Sequence, residues 1–224
     1  MPARLRPTAP IAADAILVGD PGRALLLAQE LLAEPKMSNH ARGLWGYFGK
    51  ALGGAELTIQ ATGMGGPSAV LVLEDLAELG VRRVVRVGTC VALSPDRDPG
   101  DLILVGKAIA AGGSAGPLGV GVGETVLPDA ALSERLAAAL GGGHKPAEIV
   151  SFDAHPARPQ RHGEALAADM QTAPLLAAAS ILGVEAAALL IVAEKAGGAA
   201  RLELEALAQA ERVAGTAACH ALLT

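Results

Sequence analysis

Three stretches of the chain combine glycine with a polar or basic side chain: Gly19-Asp20-Pro21-Gly22-Arg23, Gly63-Met64-Gly65-Gly66-Pro67-Ser68 and Arg86-Val87-Gly88-Thr89. Glycines let backbone N–H groups approach an oxyanion, a helix N-terminus adds partial positive charge, and an arginine fork matches phosphate geometry. Brought together, the three would form an oxyanion pocket; singly, each is also what a chain uses to turn after a strand. Arg86 is the most informative residue of the set. It stands in an otherwise apolar run, Val84-Val85-Arg86-Val87, where a buried guanidinium is costly without an anionic partner. That partner is either a bound anion or an internal carboxylate. Neither a Walker sequence nor a GxGxxG pattern accompanies the loops, which disfavours a nucleoside triphosphate or dinucleotide fold.

Positioning these loops requires strands that end in them. Apolar runs at 15–18, 57–62, 84–87, 102–105, 148–152 and 186–193 read as strands, several closed by glycine. Helical patterns at 23–33, 130–140, 165–182 and 202–223, and one that follows Ser68, carries Val70, Leu73, Leu76, Ala77 and Leu79 and ends at Gly80, alternate with them. That alternation predicts an α/β sandwich with a mostly parallel or mixed sheet, whose site lies at strand ends. The Gly/Ala-rich stretch 110–123 reads as a mobile loop.

Composition narrows the class. Hydrophobic residues make up 51% of 224, yet only two Phe, one Tyr and one Trp are present, so the core is filled by Ala, Val, Leu and Ile. Eighteen basic against 23 acidic side chains, a net charge of −5, argue against nucleic acid or an anionic membrane as partner. Cys90 and Cys219 form no CxxC pair, which speaks against a disulfide scaffold or structural metal site and for a cytoplasmic enzyme. No run approaches the roughly 18 apolar residues of a membrane span.

The ordered motifs GDPGR (19–23), ARGLWGYFG (41–49), TGMGGPS (62–68), RVGTC (86–90) and ADMQTAP (168–174) resemble the nucleoside phosphorylase superfamily, in its hexameric purine nucleoside phosphorylase and uridine phosphorylase branch. The resemblance covers nearly the whole chain. It implies one domain over 1–224, a three-layer α/β/α sandwich with a mixed central sheet. It also implies transfer of a pentosyl group from a nucleoside, purine in preference, to inorganic phosphate, with release of the free base. A uridine phosphorylase, or a weakly active or non-catalytic nucleoside- and phosphate-binding paralogue, is the alternative. By motif, Gly19, Arg23, Arg86 and Thr89 would hold phosphate, with Arg42 reaching it from a neighbouring subunit. Met64, Met170 and Gln171 would line the ribose; Cys90, His155 and Glu194 would face the base. Arg86 and Glu194 would be the catalytic pair, the first positioning the nucleophile and the second supplying the acid that stabilises the leaving base. No metal or organic cofactor is implied, only phosphate as co-substrate, and the assembly would be a trimer of dimers.

The pattern is altered in places. The family's Glu-Met-Glu is Asp169-Met170-Gln171 here, so an uncharged amide replaces a charged acceptor. Residues 1–12 lack the histidine that crosses to the ribose, and Val91 follows RVGTC where the family has glycine. Gln160 and Arg161 suggest the pyrimidine-reading pair, though not at the family's spacing; Arg201 is the nearest match to the purine branch's last arginine. Three assignments have a plainer alternative: core packing for Met170, a solvated strand-end charge beside Lys195 for Glu194, and a lone histidine without a role in the site for His155.

Overall fold

In the computed structural model, residues 4–155 and 163–224 are described. Ten strands form one mixed sheet: β1 (Asp14–Val18), β2 (Ala33–Asn39), β3 (Gly46–Lys50), β4 (Glu56–Ala61), β5 (Arg83–Ala92), β6 (Leu102–Ala110), β7 (Thr125–Val126), β8 (Ala147–Ser151), β9 (Ala167–Asp169) and β10 (Glu185–Lys195). Their order is β10-β6-β8-β9-β5-β1-β4-β3-β2, and β10 also pairs with β5, so half of the sheet closes on itself. β1 lies parallel between β4 and β5, and β5 parallel to β10, while β2–β3–β4, β5–β9 and β6–β10 are antiparallel.

The helices are α1 (Pro21–Leu31), α2 (Gly66–Glu78), α3 (Ala130–Ala139), α4 (Thr172–Leu182) and α5 (Leu204–Leu223). Strand periodicity sorts them into layers. Ala15 and Leu17 of β1 point into one core with Leu73 and Leu76 of α2 and Leu175 of α4. Ile16 and Val18 point into a second core with Leu27 of α1, Leu136 of α3 and Ala218 of α5. Successive strand residues face opposite sides, so one buried sheet needs both covers. The expected α/β/α sandwich with a mixed sheet is what forms.

Local chemistry sets the element ends. Asp20 caps α1 by accepting from the Arg23 N–H at 2.9 Å, with Pro21 at the first helical position. α4 stops at Gly183, in the left-handed region at φ 66°. One expected element needs correction: 165–182 is not a single helix, but β9, a polar turn, and then α4. Alanine-rich sequence favours helix intrinsically, yet Ala167 and Ala168 are held between β8 and β5, and pairing overrides propensity. The strands at 84–87 and 102–105 also run on to Ala92 and Ala110. Within 110–123, a 3-10 helix at Gly113–Leu118 is anchored by Asp153, which accepts from the Gly113 and Ser114 N–H groups. Among the described residues, no helix is long and apolar enough to cross a membrane.

Candidate functional site

The carboxyl ends of β1, β4, β5, β9 and β10 converge on a cavity of about 490 Å³. Gly19 and Arg23 come from the β1–α1 turn, Met64 from the β4–α2 turn, and Arg86, Thr89 and Cys90 from β5. Met170 and Gln171 follow β9, Glu194 lies on β10, and His155 follows β8. All ten were singled out from the sequence. Arg42, the eleventh, does not line the cavity. It is exposed on a 3-10 turn in the left-handed region at φ 60°, where the Asn39 side-chain amide donates to the carbonyls of Ala41 and Leu44. Gln160 and Arg161 lie outside the described residues.

Arg86 is almost wholly buried and fully engaged. Its Nη2 donates to Asp169 at 2.9 Å, Nη1 to the Gln171 carbonyl oxygen at 2.6 Å and Nε to the Thr172 hydroxyl at 3.1 Å. Gly88 is required beneath it, since a Cβ there would stand 2.6 Å from the Arg86 Nη2. Asp169, also buried, accepts in addition from the Ser151 hydroxyl at 2.5 Å, the Thr172 hydroxyl at 2.6 Å and the Thr172 N–H at 3.0 Å. Both alternatives for Arg86 therefore meet in one place: it has an internal carboxylate, and it lines the cavity.

Gln171 is likewise occupied on both sides of its amide. While Oε1 accepts from Arg86, Nε2 donates to the carbonyls of Gly63 at 2.7 Å and Gly65 at 3.0 Å. These bonds pin the glycine turn, whose Gly63 and Gly65 have φ of 72° and 82°. Met170 is half-buried on the wall, whereas Met64 is 89% exposed at the mouth.

On α1, Arg23 is buried and donates from Nε to Glu211 of α5 at 2.5 Å. On β10, a bulge between Val192 and Glu194 shifts the strand register against β5 and turns Glu194 towards the cavity. Arg201 donates to Glu194 Oε2 through Nε at 3.0 Å and Nη2 at 2.7 Å, and His155 Nε2 lies 2.7 Å from Oε1. Burial alone would raise the Glu194 pKa, but the Arg201 and His155 contacts more than offset it and hold the carboxyl below its ordinary range. Burial pushes the Cys90 thiol far above its usual range, aided by the Asp169 charge, which disfavours the thiolate.

Sequence reasoning missed Glu211 and the partner role of Asp169. Asp169 lay inside a quoted motif. Glu211 carried a signal too, because it shares the buried stripe of α5 with Ala214, Gly215, Ala218 and Leu222 at helical spacing. Among the described residues, no cluster of three or more His, Cys, Asp or Glu is arranged to hold a metal ion.

Known proteins share both sequence and shape with this chain. A purine nucleoside phosphorylase of DeoD type from Oceanobacillus iheyensis is 41% identical over 95 residues, which is 42% of this chain and 40% of that protein. Its counterpart from Caldanaerobacter subterraneus is 38% identical over 99 residues, 44% of this chain and 42% of that protein. The matches thus span about two fifths of the length of these curated relatives. A uridine phosphorylase structure from Vibrio fischeri superposes with a TM-score of 0.80 over 95% of this chain and 91% of its own, at 21% identity. That likeness establishes the fold. The model of the phosphorylase superfamily matches residues 14–224, nearly the entire chain, and the chain therefore belongs to that superfamily.

Proposed function

We propose that the protein cleaves a nucleoside, purine in preference, by phosphorolysis, releasing free base and pentose 1-phosphate. The observation that carries this reading is that one cavity holds Arg23, Arg86 and Thr89 together with Glu194. A phosphate oxygen attacks the anomeric carbon, the glycosidic C–N bond breaks, and its electron pair leaves with the base, which gains a proton. Arginines position the nucleophile and match its charge. The role of acid expected of Glu194 does not suit a carboxyl that Arg201 and His155 hold below its ordinary range; Glu194 instead keeps these two groups beside the cavity, where a departing base gains charge. Phosphate is co-substrate, with no metal or organic cofactor. Residues 1–224 work as one domain in a cytoplasmic homo-oligomer, a trimer of dimers, in which Arg42 completes a neighbour's site. The exposure of Arg42 and its position off its own cavity support that arrangement.

A second reading, a weakly active or non-catalytic paralogue, is favoured by one feature: the Gln171 amide is already bonded on both sides within the protein. Chromatographic release of base from inosine, adenosine, guanosine, uridine and thymidine, with and without phosphate, separates the two. Phosphate-dependent release from a purine nucleoside supports the main reading. Equal release without phosphate refutes it, and silence across the panel with retained phosphate binding supports the paralogue.

A further inference from the structure

The Arg23–Glu211 pair lies at the crossing of α1 and α5. One turn along, a Cβ on Gly215 would stand 2.4 Å from a Leu27 methyl, so the two helices touch there almost backbone to side chain. This close approach puts Glu211, four residues before Gly215, against Arg23, four residues before Leu27. The Glu211 side chain is only 10% exposed and lies behind Arg23, outside the cavity lining. It holds Nε, while Nη1 reaches the Val87 carbonyl at 3.5 Å. Arg23 thus lines the cavity with its charge already matched. Arg86, the other arginine of the wall, is matched by Asp169. An anion entering between them meets two arginines whose charges are both compensated from behind.

We propose that Glu211 is a positioning residue that sets the anion affinity of the site: its carboxylate orients Arg23 and at the same time opposes the incoming anion. The inference rests on the anion-site reading given above. It separates two properties of one side chain, the hydrogen bond it accepts and the charge it carries. Glu211→Gln retains an oxygen acceptor for the Arg23 Nε and removes the charge; Glu211→Leu removes both.

Titration calorimetry of the full chain with inorganic phosphate reads affinity directly, whether or not turnover occurs. Glu211→Gln is expected to bind phosphate about tenfold more tightly than the parent, as removal of one like charge from a partly desolvated pocket implies. Glu211→Leu is expected to bind more weakly than Glu211→Gln, because Arg23 loses its anchor. If turnover is phosphate-dependent, the phosphate KM falls in Glu211→Gln with kcat little changed. Equal or weaker phosphate binding by Glu211→Gln, in a protein whose circular dichroism and melting match the parent, overturns the proposal, as does absence of phosphate binding in both. Tighter binding without base release leaves the role of Glu211 standing and removes phosphorolysis; phosphate-dependent release with unchanged binding does the reverse.

Discussion

Replacing Asp169 by alanine tests whether the Arg86 cluster is held by its internal carboxylate. The Arg86 and Asp169 side chains are 4% and 0% exposed, and their charged atoms meet at 2.9 Å. Removing the carboxylate leaves an almost wholly buried guanidinium without its charge partner, and breaking a buried pair from one side costs about 3–5 kcal/mol. For a chain of this size that corresponds to a fall in melting temperature of about 6–20 °C. Differential scanning calorimetry in phosphate-free buffer reads it directly. Two further arms make the cause specific. Added phosphate should raise the melting point of Asp169→Ala more than that of the parent, because an anion in the cavity supplies the missing partner and binding to the native state alone stabilises it. Arg86→Leu on the Asp169→Ala background should recover part of the loss, since no charge is then left stranded. A melting point within about 2 °C of the parent would refute the reasoning, and so would a double variant less stable than the single one.

Two other substitutions probe the remaining walls. Gln171→Glu puts an oxygen where Nε2 now donates to the Gly63 and Gly65 carbonyls at 2.7 and 3.0 Å; the expected loss is about 1–3 kcal/mol in urea unfolding, and an unchanged midpoint would show that these bonds do not hold the turn. Glu194 has a folded pKa depressed below 4.5 through Arg201 and His155, against the opposing effect of burial. Its stabilisation is therefore present above the unfolded value and lost as pH falls through the folded one. The parent should be more stable than Glu194→Gln near neutrality, with the gap closing only below pH 4.5; a gap that is constant with pH contradicts the pairing.

The sequence is most legible where one kind of force decides structure. β1, β4, β5 and β10 are apolar runs ended by turn residues, and each forms at its pattern, although β5 runs on past Val87 to Ala92. β2 and β3 were not legible. The first five residues of β2 are exposed, so no alternation marks it, and only pairing with β3 makes it a strand. β9 failed for the opposite reason: its alanines suit a helix, and the register with Val91 of β5 that holds them extended is a long-range fact.

The site divides in the same way. Arginine in an apolar strand announces a buried charge, and three glycine loops announce close backbone approach, so the anion side of the wall could be read from the residues, whereas Met170, Gln171, Cys90, His155 and Glu194 are reached only through the family resemblance. What the spacing does not contain is who neutralises whom: Arg86 finds Asp169 83 positions away, and Arg23 finds Glu211 188 positions away. Yet some such partners are required by the charge itself. A buried arginine must be stable in the empty site as well as the occupied one, so a pocket walled by two of them needs two internal carboxylates before any ligand arrives. An anion then gains only the difference between a matched arginine and one that it shares. On this argument the residues behind the wall set affinity as firmly as those on it, and Glu211, which stands behind Arg23 and outside the cavity lining, belongs to the site.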